Sequence, residues 1–219
     1  HPIVQKADIR IKFPDEIHLL VREHRPVAML KISKEISNLT HDTLKNDNFF
    51  LIGNDQRLLK QLPLQELRNS PHRNLPLIKG ITVPYMRLGE RLNSSVLERG
   101  LVLLSTLQNI TMNQITKNPE MVTGFIDHYR MVDWSTQKIR IDVSDPLNLK
   151  ISWPLKSHQL QPDSTEMLRS VPLTIQMGNR NFSERIRTFQ NIFPIIDKQH
   201  PEIQSIDLRY EKRVMLMPL

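Results

Sequence analysis

The segment from Ile206 to Glu211 alternates apolar and polar residues, and this pattern limits what the segment can fold into. Its apolar members are Ile206, Leu208 and Tyr210, and its polar members are Asp207, Arg209 and Glu211. A period of two predicts a half-buried strand. A polar break at Glu211-Lys212 and a second short run from Arg213 to Met217 then predict a tight turn and a last strand. We expect that strand at a sheet edge, where unpaired N–H and C=O groups can bind a partner.

A similar pattern occurs near the beginning of the chain. Residues 7–13 and 16–23 alternate on either side of Pro14-Asp15, which predicts a hairpin with one buried and one solvated face. The expected buried positions are Ile9, Ile11, Phe13, Ile17, Leu19 and Val21. Because an isolated hairpin is only marginally stable, its apolar face needs a helix or a third strand to cover it.

The middle of the chain combines short apolar runs with two stretches of helical periodicity. Strands are predicted at 27–32, 49–52, 57–62, 122–132, 138–143, 147–153 and 171–177. Helices are predicted from Ser94 or Ser95 to Gln108 and from Ser183 to His200, each beginning at a serine cap. Three prolines make 63–80 an irregular connector. Strands clustered between two helices predict an α+β fold with a mainly antiparallel sheet.

Composition excludes several classes of protein. The chain has 219 residues, of which 39% are hydrophobic and 24% charged, as in ordinary globular proteins. No apolar run approaches the 18 residues of a membrane span. The absence of cysteine excludes disulfides and thiolate metal sites. The net charge of +7 is spread along the chain and aromatics are only 5%, which favours a membrane surface or an acidic partner over nucleic acid.

Motifs for catalysis are weak. Ser135-Thr136-Gln137-Lys138 fits the S-x-x-K pattern of penicillin-recognising enzymes, but the accompanying K-T-G and S-D-N motifs are missing. None of the eight histidines has metal-ligand spacing, and there is no glycine-rich phosphate loop. We therefore predict no catalytic residue, no cofactor and no metal site, and we expect the chain not to be an enzyme.

Three stretches carry a family resemblance. The I-D-L-R-Y strand from Ile206 to Tyr210, preceded by a basic amphipathic helix, resembles the C-terminus of the FtsQ/DivIB bacterial cell-division proteins. Residues 2–28 resemble that family's helix end, alternating strand and "E-R/H-x-P-V-A" pattern. Residues 49–80 resemble it through FFLIGNDQRLL and LPLIKG. Residues 110–170 match poorly and are read as an insertion.

The resemblance implies two domains. Residues 1–30 would be the C-terminal part of a POTRA domain truncated at its N-terminus, and residues 31–219 an FtsQ-type β domain with an insertion around 110–170. A membrane helix would precede the fragment and anchor it at the periplasmic or extracytoplasmic face of the bacterial inner membrane.

The resemblance also implies a function. The β domain of such a divisome scaffold binds the FtsB/FtsL coiled-coil pair during septum formation, largely through its last strand, and the POTRA domain contacts other divisome proteins. Carried over to this chain, partner binding would involve Arg209, Tyr210, Glu211, Lys212, Arg213, Met215 and Met217. No nucleic-acid partner is expected.

Several alternatives stay open from the residues. One is a POTRA-type module of an outer-membrane assembly or secretion system, and another is a basic nucleic-acid-binding domain whose affinity falls steeply with salt. Tyr210 is either core or a partner anchor. Asp207 and Arg209, with Glu23 and Arg25 on the earlier strand, form cross-strand ion pairs, a solvated sheet face or a partner contact. Met215 and Met217 fill the core or offer an adaptable contact.

Overall fold

A computed structural model describes residues 1–33, 48–83, 86–117, 139–153, 172–200, 202–211 and 213–218. The fold is mixed α+β and mostly sheet, with three helices among these residues, so the predicted α+β class is confirmed. The chain divides into two compact units, His1–Glu98 and Arg99–Leu219. The predicted boundary near residue 30 stays a prediction. The predicted strand at 122–132 lies outside the described residues.

The described residues of the first unit form six strands and a short helix. These are β1 (Val4–Lys12), β2 (Glu16–Glu23), β3 (Pro26–Ser33), β4 (Asn48–Gly53), β5 (Leu58–Pro63), α1 (Leu64–Asn69) and β6 (Leu77–Thr82). The last four strands among them follow the order β5-β4-β3-β6. The β3–β4 and β4–β5 pairs are antiparallel, whereas β3 and β6 are parallel. Antiparallel pairing therefore predominates in this unit, as predicted, with one parallel pair.

The prediction of an irregular connector over 63–80 is wrong, because this stretch contains α1 and β6. Its prolines flank these elements and do not interrupt them. Pro63 is the N-cap of α1, where its missing N–H has no intrahelical acceptor in any case. Leu67 of α1 is buried in a cluster with residues from three strands. The buried members of this cluster are Met29, Phe49, Leu51, Leu59, Leu62 and Leu67.

The β1–β2 hairpin forms as predicted, but its apolar face is exposed. The register pairs Ile9 with Leu19 and Ile11 with Ile17, so the predicted apolar residues do share one face. Ile11 and Ile17 are 73% and 74% exposed, however. The predicted burial is therefore wrong for the structure described. Two strands cannot bury a face without a further layer, and none of the described elements supplies that layer.

The described part of the second unit contains five strands, one complete helix, and most of a helix that begins at Ser95, shortly before the unit starts at Arg99. Its elements are α2 (Ser95–Lys117), β7 (Arg140–Asp142), β8 (Leu149–Trp153), β9 (Leu173–Gly178), α3 (Phe182–Gln199), β10 (Ile203–Asp207) and β11 (Met215–Pro218). The strand order is β7-β8-β9-β10-β11. Among the described strands of this unit, the β9–β10 pair alone is parallel. The sheet is therefore mainly antiparallel, and one crossover through α3 connects β9 to β10.

Both predicted helices are confirmed, with corrections at their ends. The Ser94 hydroxyl accepts a hydrogen bond from the Leu97 N–H (3.2 Å), as a cap should. Helix α2 continues to Lys117, beyond the predicted end at Gln108. The predicted Ser183 cap is wrong: α3 begins one residue earlier, after Asn181, whose φ of 57° is tolerated because asparagine readily adopts the left-handed region.

Helix α3 packs on one face of the second unit's sheet through aromatic side chains. The Phe189 ring meets the Trp153 ring edge to face, with centroids 5.2 Å apart. Phe193 lies 5.2 Å from Phe189, and all three side chains are about 2% exposed. Aromatic side chains bury large areas, so this cluster holds α3 over the sheet. Because α3 is held there, its first helical turn lies beside the carboxyl ends of β9 and β10.

Candidate partner-binding edge and groove

Strand β10 ends at Asp207, so the predicted continuation to Tyr210 is wrong. The predicted alternation of burial also fails, because Ile206, Asp207 and Leu208 are all buried. The Leu208 N–H still donates to the Gln176 carbonyl of β9 (3.0 Å) before the chain leaves the sheet. Between β10 and β11, the described residues 208–211 and 213–214 belong to no strand or helix and are called the 208–214 connection; the tight turn predicted at Glu211-Lys212 stays a prediction. The candidate residue Lys212 lies outside the described residues.

Strand β11 lies at the end of the sheet order. It pairs antiparallel with β10, with Met217 opposite Ser205 and Met215 opposite Asp207. Its other edge pairs with no strand within the described ranges. Such an edge presents main-chain donors and acceptors that another strand can bind.

The side chains of β11 are more exposed than those of a core strand. Met215 and Leu216 are 48% and 41% exposed, and Met217 is half-buried. Leu216 pairs with Ile206, which pairs with Ile175, so Leu216 shares their face of the sheet. The two methionines lie on the opposite face, because successive side chains of a strand alternate. Leu216 was missed by the sequence analysis, although its place between the two methionines marks it as part of the same strand.

Tyr210 is 50% exposed and is therefore not a core residue. Its ring lies 5.9 Å from the Cζ atom of Arg209, within the range of a cation–π contact. The ring combines a large apolar area with a polar tip, which is the chemistry that interfaces favour.

A groove of about 260 Å³ runs between the first turns of α3 and the 208–214 connection. Its lining residues are Asn181, Glu184, Arg185, Thr188, Leu208, Tyr210, Glu211, Arg213 and Val214. The groove thus brings together three of the predicted binding residues, Tyr210, Glu211 and Arg213. It does not include Met215 or Met217, which lie on β11. Sequence reasoning missed the contributions of α3, because no local pattern shows which strand connection a helix will face.

Asp207, the last residue of β10, forms a close ion pair with Arg209, two residues further along the chain, and not one of the predicted cross-strand pairs with Glu23 and Arg25. The Arg209 Nε atom is 2.9 and 3.0 Å from the two Asp207 carboxylate oxygens, and Nη2 is 2.6 Å from Oδ2. The Asp207 side chain is only 4% exposed. Burial opposes its ionisation, but the hydrogen bonds and charge of Arg209, with the charge of Arg185, outweigh burial and lower the pKa of Asp207. The hydrogen bond to Asp207 likewise raises the pKa of Arg209.

Arg185, in the first turn of α3, links the helix to the ends of the two strands. Its Nη1 donates to the Met177 carbonyl of β9, and its Nη2 donates to the Arg209 carbonyl (2.9 Å). Burial, assisted by the charge of Arg180, lowers the pKa of the Arg185 guanidinium. Its charge is retained near neutrality because an arginine titrates far above pH 7.

Within the described residues, no group of three or more histidine, aspartate or glutamate side chains is arranged to hold a metal ion. None of the described helices is long and apolar enough to span a bilayer.

Comparison with known proteins leaves the resemblance as a hypothesis. No family model matches the chain, and no curated protein matches it significantly.

Proposed function

We propose that this chain is a non-catalytic scaffold of the bacterial division machinery, which binds an FtsB/FtsL-like coiled-coil pair through β11 during septum formation. The proposal rests on the sequence resemblance to the FtsQ/DivIB proteins. In the same proposal, residues 1–30 belong to a POTRA domain that contacts other divisome proteins, and the chain works at the periplasmic or extracytoplasmic face of the inner membrane.

The observation that carries the proposal is the free edge of β11 beside exposed apolar side chains. Addition of a partner strand would supply main-chain hydrogen bonds, whereas Met215, Leu216 and Tyr210 would supply side-chain contacts. The adjoining groove contains Arg185 and Arg213 together with Glu184 and Glu211. This mixture of charges favours a partner segment with polar side chains of both signs over a nucleic-acid backbone, which needs a basic surface.

Two neighbouring proline substitutions on β11 test the proposed mode of binding. Along an antiparallel edge strand, successive N–H groups point alternately toward the paired strand and away from it. Proline has no main-chain N–H. One of the variants Leu216→Pro and Met217→Pro therefore loses an N–H that donates to β10, and the other loses an N–H on the edge that no described strand occupies. The thermal midpoint and the affinity for a purified FtsB–FtsL-like complex should be measured for both variants.

We expect one variant to keep the wild-type thermal midpoint and to lose binding. The other should lower the midpoint, because it breaks the β10–β11 pair. Full affinity in the variant with the unchanged midpoint would rule out strand addition at β11.

A further inference from the structure

The connection that carries Tyr210 is fixed to the rest of the second unit at a few defined atoms. Strands β9 and β10 are parallel, with Ile206 opposite Ile175 and Asp207 opposite Gln176, so their carboxyl ends lie side by side. The chain leaves β10 at this place and returns only at Met215. Leu208 still donates to the Gln176 carbonyl of β9, but residues 209–211 and 213–214 depend on contacts outside the sheet ladder for their conformation.

The main chain of Arg209 is held on both sides. Its N–H donates to the buried Asp207 carboxylate (3.0 Å), and its carbonyl accepts from Arg185 Nη2 (2.9 Å). Hydrogen bonds to charged groups are roughly twice as strong as those between neutral groups. Arg209 directly precedes Tyr210, so these bonds restrict the position of the tyrosine main chain.

The approach of Arg185 requires a glycine in β9. Gly178 has a φ of +63°, and a Cβ at this position would overlap Arg185 Nη1 and lie 3.4 Å from Cγ of Arg209. The glycine thus provides both the left-handed backbone conformation and the space through which the guanidinium reaches the Met177 carbonyl. The end of β9, the first turn of α3 and the segment after β10 therefore meet at Arg185.

We infer that Arg185 is a positioning residue for partner recognition, which holds residues 208–211 and 213–214 in the conformation that presents Tyr210 beside the β11 edge. The identity of the partner in this inference rests on the proposed function, whereas the ordering of the segment rests on the hydrogen bonds of Arg185 and Asp207 alone. Ordering a segment before binding removes part of the entropy that association would otherwise cost.

The test uses the whole chain with three substitutions in α3. Arg185→Met keeps the length of the side chain and removes its donors, and Arg185→Lys keeps the charge without the two-pronged geometry. Arg187→Met is the matched control, because Arg187 is exposed on the same helix two residues away. Amide hydrogen exchange of residues 208–211 and 213–214, thermal midpoints and affinity for a purified FtsB–FtsL-like complex should be measured for each.

We expect Arg185→Met to speed amide exchange in residues 208–211 and 213–214 at least about tenfold, as loss of charge-assisted hydrogen bonds predicts. Exchange in β7 and β8, which Arg185 does not contact in the described hydrogen bonds, should stay unchanged, and affinity should fall by about tenfold. Arg185→Lys should give values between those of the wild type and Arg185→Met. The control should match the wild type.

The outcomes separate the inference from the proposed function. Faster exchange without any binding by the wild type would support the local ordering and refute the proposed partner. Unchanged exchange in both Arg185 variants would overturn the ordering role. Faster exchange with unchanged affinity would overturn the role in recognition. If Arg185→Met lowers the thermal midpoint strongly, its faster exchange reflects a general loss of stability. Amide exchange in Arg185→Lys then decides whether Arg185 orders these residues.

Discussion

Replacement of Tyr210 by alanine is expected to weaken partner binding far more than it weakens the fold. An aromatic side chain buries about 150–250 Å² when fully covered. Half of the Tyr210 residue surface is exposed, so a partner could cover roughly 75–125 Å² more. At about 25 cal/mol per Å², that burial corresponds to about 2–3 kcal/mol. The dissociation constant should therefore rise by about 30- to 150-fold.

The stability of the folded chain should change little in the same variant. The described contact of the ring is the one with Arg209, and an exposed cation–π contact contributes about 0.5–1 kcal/mol. Isothermal titration with a purified FtsB–FtsL-like complex and thermal unfolding of the free chain measure the two quantities. Tyr210→Phe should keep most of the affinity, because it retains the ring. Leu147→Ala, at a 71% exposed position in the same unit, serves as the control for loss of apolar surface elsewhere.

Two results would refute this reasoning. A fall in thermal midpoint comparable to that of a core truncation would mean that Tyr210 contributes mainly to the fold. An unchanged affinity in Tyr210→Ala, with binding by the wild type confirmed, would remove the tyrosine from the interface.

Three further predictions follow from the packing and the ion pair. Phe189→Ala should lower the free energy of unfolding by about 3–5 kcal/mol in urea titrations, because the ring is buried against Trp153. In the folded chain the pKa of Asp207 lies below its ordinary value of 3.8. Between the folded pKa and 3.8 the unfolded chain therefore binds more protons, and the free energy of unfolding rises with pH. Asp207→Asn should flatten this rise, and an unchanged slope would contradict the assignment of the rise to Asp207. Amides of β1 and β2 should exchange faster than those of β9, because both faces of the hairpin are exposed, and equal protection would show that the hairpin is covered in solution.

Local patterns were sufficient for most elements of the fold. The period-two runs located the β1–β2 hairpin, two short apolar runs around a turn signal located β4 and β5, and the 3.6-residue period located α2 and α3. These signals are local because each depends only on which side chains share one face of a strand or helix. Residues 63–80 show the limit of this reasoning: proline was read as a breaker, whereas Pro63 begins a helix.

The ends of the elements and the candidate site depended on contacts between distant residues. Strand β10 stops at Asp207 because its buried carboxylate binds Arg209, and the alternation through Tyr210 contains no sign of that contact. The sequence by itself placed a last strand and named Tyr210 as a candidate, but it left open whether this side chain is core or exposed. Only the tertiary structure brought Arg185 of α3, Gly178 of β9 and Arg209 together. The physical reason is that the parallel pairing of β9 and β10 and the packing of α3 join segments more than 20 residues apart.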